Sequence, residues 1–279
     1  MSAIRLTIAG LLFLLAADGS IEQRSQGAKP ALALLNSFDG LGAGLEPGPG
    51  TNHPPPPRNP SDNSLAVGPN HVFQIVNAQL AIFTKSGTLL HGPVSTNTIF
   101  AGAGGVCEAR PNGDAVVRYD QLAGRWLVVM PIFRRTVFDA DRSKHGEPAR
   151  PGDAARANVG RPGPPPPLPP PVVGADRRVR PGADTQVGIA IGYTFGGSPN
   201  YPGLRFAARL ANDPPGVLTF RESVLVEGEA SQNAMRWEDY TQTAMDPSDD
   251  CTIWYAGDYV KKDAATYSTR IGSFRMPGC

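Results

Sequence analysis

Three short stretches of this chain share one layout. Asp62-Asn-Ser-Leu-Ala-Val67, Asp114-Ala-Val-Val-Arg-Tyr119 and Asp239-Tyr-Thr-Gln-Thr-Ala-Met245 each set a carboxylate before residues of strand character. A turn follows in each case, written as Gly68-Pro-Asn-His71, Asp120-Gln-Leu-Ala-Gly124 and Asp246-Pro-Ser-Asp-Asp250. A second apolar strand comes next: Val72-Phe-Gln-Ile-Val76, Trp126-Leu-Val-Val129 and Thr252-Ile-Trp-Tyr255. A recurring unit of Asp, strand, turn and strand implies stacked antiparallel sheets. The first two copies lie 52 positions apart (62 to 114), near the length of one β-propeller blade.

Composition agrees with a turn-rich β-protein. The 279 residues include 32 Gly and 29 Pro, too many breakers for a helical bundle. The formal net charge of +1 gives no global field toward nucleic acid or an anionic membrane. Arg5 precedes the apolar run Leu6 to Ala17, and small residues follow, which predicts a secretory signal peptide over 1–19. That run is shorter than the roughly 20 residues a spanning helix needs, so the mature chain is expected to be secreted or periplasmic, with no membrane segment left after cleavage. Export makes cysteine pairing meaningful. Cys251 and Cys279 belong to the same C-terminal unit and are expected to bridge, leaving Cys107 without a mate. No His or Cys pair has metal-ligand spacing.

Along the chain, 20–60 reads as a Gly/Pro-rich extended lead-in, and 61–133 as alternating strands and turns. The clearest hairpin joins Gln79–Thr84 to Thr88–Leu90 through Lys85-Ser-Gly87. Residues 134–183 change character, dense in Arg and Pro around Pro164–Pro171 and without apolar periodicity, so they are expected to be a disordered low-complexity segment. Strand patterning resumes over 184–279, through Gln186–Tyr193, Leu204–Arg209, Val217–Phe220, Ser223–Val226 and Ser268–Phe274. Outside the signal peptide no helical stripe stands out. The fold class is all-β, with propeller-like stacked four-stranded sheets.

The strings Ser37-Phe-Asp-Gly-Leu-Gly42, Ala66-Val-Gly-Pro-Asn-His71 and Gly113-Asp-Ala-Val-Val-Arg-Tyr-Asp120 with Arg125-Trp126 fit one pattern. So do Tyr201-Pro-Gly-Leu-Arg205, Trp237-Glu-Asp-Tyr240, Asp246 to Tyr255, and Thr269 to Phe274 with Cys279. Together they resemble a family of exported bacterial proteins of uncharacterised function, expected to be β-propellers of six or seven blades. The resemblance covers roughly 37 to 133 and 186 to 279. It implies a fold and a location but no reaction. The chain departs from the family after the Arg-Trp motif, where the low-complexity segment stands in place of central blades and of the likely mate of Cys107. About three to four blades' worth of strand remain, against the four to eight of a closed ring. Either the open sheet edges close by oligomerising, or the chain is a truncated member of that family.

In a propeller the first strand of each blade lines the central axis. Asp62, Asp114 and Asp239 would then converge at one mouth, where carboxylates can bind a polar ligand or a hard cation such as calcium. The alternative is that each Asp caps backbone amides at its own strand entrance. Arg236, Glu238 and Tyr240 flank Asp239 and, with Trp237, form the densest polar-aromatic cluster, suited to sugar stacking and bidentate hydrogen bonds unless Trp237 is a core anchor. Ser248 to Trp254 resembles the Asp-box turn of sialidase-type propellers without its glycine and with one residue less of spacing. Arg236, Glu238, Asp239 and Tyr240 supply sialidase residue types, but on one expected strand, where alternate side chains face opposite ways. No nucleophile elbow or phosphate-binding glycine loop is present in the sequence. The expected function is therefore an exported, non-enzymatic binding protein for an extracellular glycan or protein, with a sialidase-like or other propeller glycoside hydrolase as the alternative.

Overall fold

The computed structural model describes residues 23, 25–46, 48, 59–132, 172–175, 188–233, 236–264 and 266–279, the stretch 172–175 by its backbone alone. The expected signal peptide and the low-complexity segment, apart from 172–175, lie outside the described residues. Every pair of strands is antiparallel. The first strand, β1 (Leu34–Gly42), falls inside the expected lead-in. It is followed by the meander β2 (Ser64–Val67), β3 (His71–Val76), β4 (Gln79–Thr84) and β5 (Leu89–Ser95), then by a lone hairpin of β6 (Val116–Asp120) and β7 (Arg125–Val129). A third sheet runs β8 (Val172–Ala175), β9 (Ile189–Gly197), β10 (Asn200–Arg209) and β11 (Ser223–Val226). The last comprises β12 (Gln242–Met245), β13 (Thr252–Tyr259) and β14 (Ser268–Arg275), completed on its outer edge by β1. A 3₁₀ turn at Thr96–Phe100 and a one-turn helix, α1 (Gly105–Ala109), are the only helices among the described residues.

The architecture is all-β, with sheets of two to four strands that do not close into a ring. Two assignments differ from the sequence reading. β1 is ordered because its backbone pairs with β14 from Leu34↔Phe274 to Gly42↔Ser268, a long-range partner that a Gly/Pro-rich context conceals. β8 lies within the low-complexity stretch and is held by backbone pairing to β9, which needs no apolar pattern. Val217–Phe220, expected as a strand, forms an isolated parallel bridge from Phe220 to Lys29, and the Phe220 amide donates to the Ala208 carbonyl of β10 (3.0 Å).

Period-two alternation explains the packing. In β13, Ile253 and Tyr255 enter one core with Leu204, Phe206 and Phe274, while Trp254 and Ala256 enter another with Leu65, Phe83 and Ile271. The sheet of β2 to β5 is likewise covered on both sides, since Ala66, Phe73, Ile75 and Leu80 face Ala115 and Val117 of the β6 hairpin. The sheets therefore follow one another as β8–β11, then β12–β14 with β1, then β2–β5, then β6–β7. Each interior sheet is packed on two faces, as in a propeller arc. The Cys251–Cys279 disulfide forms, with Cα atoms 5.7 Å apart, and ties the chain end to the root of the β13–β14 hairpin. Cys107, in α1, is a free half-buried thiol.

Candidate functional site

The strands that follow the three repeated aspartates are β6, β2 and β12, which lie side by side at the inner edges of three different sheets. Each aspartate sits two or three residues before its strand in the same backbone conformation, with φ of 51° at Asp62, 56° at Asp114 and 59° at Asp239. This left-handed region is sterically costly for most side chains, and Asp is among the few that enter it readily. The three positions are thus equivalent in backbone as well as in sequence. Their carboxylates also converge: Asp62 lies close enough to Asp114 for a hydrogen bond between the two carboxyl groups and feels the charge of Asp239.

Local capping, the alternative role for these residues, belongs to other aspartates. Asp120 Oδ1 accepts the amides of Leu122 (2.9 Å) and Ala123 (3.0 Å), and Asp249 Oδ1 those of Cys251 (3.0 Å) and Thr252 (2.8 Å). Asp246 accepts from the Ser248 amide (2.9 Å), the Trp254 indole (3.1 Å) and the Lys85 ammonium (2.6 Å), so the Asp-box-like turn is a structural hairpin. Asp62 Oδ1, by contrast, is buried with no hydrogen-bond partner.

The segment from Arg236 to Tyr240 differs from its expected form. It is a loop ahead of β12 rather than a strand, and consecutive positive φ values at Glu238 (58°) and Asp239 (59°) fold it sharply. Trp237 is buried in the core with Leu65, Trp254 and Tyr267, which removes it as a stacking platform for a sugar. Glu238 is fully buried. Its Oε1 accepts the Asp258 amide (2.7 Å), its Oε2 the Thr194 hydroxyl, and its carbonyl the Asp62 amide and the Ser61 hydroxyl (both 3.1 Å). Glu238 therefore positions the cluster from beneath and does not face solvent. Arg236 is exposed and paired with Asp239, and Tyr240 is exposed beside them.

The resulting site is layered. Asp114, Asp239, Arg236 and Tyr240 form the rim, Asp62 sits below at 8% exposure, and Glu238 and Asp258 form a fully buried floor. Burial chiefly, then the negative charges of Asp114 and Asp239, pushes the Asp62 carboxyl up to about 7, against the opposing pull of Arg236. Burial likewise raises Glu238 to about 8 despite the hydrogen bonds it accepts, and raises Asp258 well above the usual carboxylate range, helped by the charges of Glu238 and Asp62. Among the described residues no set of three or more His, Cys, Asp or Glu side chains is arranged to hold a metal ion.

Sequence reasoning passed over Asp258, Thr194 and Ser61. Asp258 carried a signal, as a lone charge inside the apolar run from Ile253 to Val260. Thr194 and Ser61 carried none, because hydroxyl residues at strand ends are common. Apart from the aspartate cluster, a concavity of about 540 Å³ lies beside the β7 strand, lined by His71, Phe73, Leu90, His91, Trp126 and Leu127 among others. No family model, curated protein or solved structure matches the chain.

Proposed function

We propose that this chain is an exported, non-enzymatic binding protein that takes a glycan or a protein on the face lined by Asp62, Asp114 and Asp239. One observation carries the reading: three carboxylates led by separate sheets share one backbone conformation and one electrostatic neighbourhood. Local capping, the ordinary structural use of such aspartates, is met elsewhere by Asp120, Asp246 and Asp249. Rim residues Asp114, Asp239, Arg236 and Tyr240 offer acceptors, a guanidinium and a phenol to a polar ligand. The test is a screen of the secreted chain on glycan and extracellular-protein arrays. Specific binding that is lost in Asp239→Asn supports the reading, and indifference of every bound species to that change overturns it.

A second reading is favoured by one feature. A carboxyl held near 7 beside a second carboxyl group is the pairing a glycosidase uses for its general acid. A panel of fluorogenic glycosides separates the two: turnover abolished by Asp239→Ala would sink the binding-only reading.

A further inference from the structure

The floor of the aspartate cluster lacks what a buried carboxylate requires. Asp258 has no exposed surface, and neither of its oxygens accepts a hydrogen bond. The Ser61 hydroxyl approaches it but donates to the Glu238 carbonyl instead. Asp62 Oδ1, one layer above, is also buried and unpartnered. A buried acceptor without a donor is destabilising until a proton or a cation meets it. Asp258 lies near enough to Glu238 and Asp62 to feel the charge of both, with the Ser61 hydroxyl beside it.

The cations that could answer this differ in what they demand. A calcium ion needs six to eight oxygens at about 2.3–2.6 Å, and the described carboxylates are not so arranged. An ammonium or guanidinium needs only acceptors at hydrogen-bond distance, with charge-assisted bonds about twice as strong as neutral ones. The layering adds a shape requirement, because the unpartnered oxygens lie beneath the exposed Asp114 and half-buried Asp239. An amine fixed directly to a sugar ring cannot go down without the ring. A Lys or Arg side chain has a slim stem of three or four methylenes behind its charge. Rim charge favours its entry, because Arg236 and Asp239 offset each other as an ion pair and Asp114 remains negative.

We infer that the ligand is an extracellular polypeptide that inserts a Lys or Arg side chain past Asp114 and Asp239 onto Asp62, with Asp258 behind it. This rests on the binding reading above and narrows its ligand to a basic protein segment. Asp62 is the principal acceptor, Asp114 steers the approach from the rim, and the Asp258 oxygens lie behind as further acceptors.

The test uses the full secreted chain and fluorescein-labelled Gly-Gly-Arg-Gly-Gly and Gly-Gly-Lys-Gly-Gly, followed by fluorescence anisotropy. Their citrulline and acetyl-lysine counterparts keep the shape and remove the charge. The charged peptides should bind about tenfold more tightly than the neutral ones, a single good charge-assisted contact. Asp62→Asn, which keeps a residue suited to positive φ, should erase that difference, and Asp114→Asn should weaken binding by a smaller factor of about two to three. The peptide comparison needs no variant, so a folding defect in Asp62→Asn leaves it intact. Equal binding of charged and neutral peptides overturns the inference, as does absence of binding at millimolar peptide. Calorimetric binding of calcium chloride that depends on Asp62 also overturns it, in favour of an inorganic cation. Binding of a neutral glycan at Asp62 without peptide binding defeats the basic-side-chain inference alone. Glycoside turnover defeats the binding reading beneath it.

Discussion

The last sheet and the β6–β7 hairpin both follow an aspartate of positive φ, at Asp239 and Asp114, and end in opposite states. In the last sheet, β12 and β13 are extended by β14 and by β1, and all eight residues of β13 are buried. In the hairpin, β6 and β7 have no further strands among the described residues, and Val116, Leu127 and Val129 are exposed on the face turned away from the β2 sheet. Equivalent aromatic residues show the consequence. Trp254 is 1% exposed and packs edge-on against Phe38, whereas Trp126 is 37% exposed and rests against Phe73 and Tyr119. A strand pair of this kind acquires a core only when sheets cover both of its faces. The repeat therefore specifies local structure, and neighbours decide its burial.

The largest expected effect tests that contrast directly. Trp254→Ala should cost about 3–5 kcal/mol, the range for emptying a buried aromatic site, while Trp126→Ala should cost about 1–2 kcal/mol because solvent already reaches it. Urea unfolding of the two variants measures the difference. Equal losses would mean that the hairpin is as well covered as the last sheet, by residues outside the described set or by a second molecule.

A smaller effect concerns pH, and separates the aspartate cluster from the turn aspartates. Asp62 rises from its ordinary 3.8 to about 7 in the folded chain. Between those values the folded state holds a proton that the unfolded state releases, so stability is full below about 4 and is lost as pH rises through about 7. Glu238 acts with the same sign up to about 8. Asp39 and Asp249 are lowered and act in the opposite sense, but only below their ordinary 3.8, outside this window. Asp39 is held by Lys261, Tyr259 and Arg270 against its burial, and Asp249 by Thr252, Cys251 and Arg275 against its own. Stability should therefore decline from pH 5 to pH 8, and Asp62→Asn should reduce that decline by about 1–2 kcal/mol, once screening by solvent at the rim is counted. Denaturation midpoints at the two pH values check it, and an unchanged decline in the variant would separate Asp62 from the buried floor.

The smallest effect on stability should come from the exposed face of the hairpin. Leu127→Lys with Val129→Lys should change unfolding free energy by less than about 0.5 kcal/mol, since neither side chain is buried. The same pair should shift the chain toward monomer in size-exclusion chromatography if the open hairpin is where copies associate. Retention of an oligomer by the doubly charged variant would move the contact to another open face, such as the outer side of the β8 to β11 sheet.

Much of the frame was legible in the residues. The turns Gly68–His71 and Lys85–Gly87 hold as written, because Gly87 takes φ of +93° and Gly68 donates to the His71 carbonyl at 2.9 Å. The Cys251–Cys279 bridge and the three strand-leading aspartates were also readable, since each depends on nearby residue types. β1 was not, because a strand supplied from far along the chain to complete the last sheet leaves no mark in its own Gly/Pro-rich neighbourhood. The loop at Glu238 and Asp239 reads as strand in the sequence, since two successive positive φ values in charged residues are set by the Asp62 and Asp258 amides that engage Glu238.

Sequence alone determined that this chain makes antiparallel β-units, three of them opened by an aspartate, because alternation, turn chemistry and backbone preference are local properties. Tertiary structure alone decided that Asp62, Asp114 and Asp239 meet, that Glu238 turns inward, and that Asp258 lies unpartnered behind them. Those outcomes depend on which sheets stack and on how much water the stack excludes, and no single stretch of sequence carries that information.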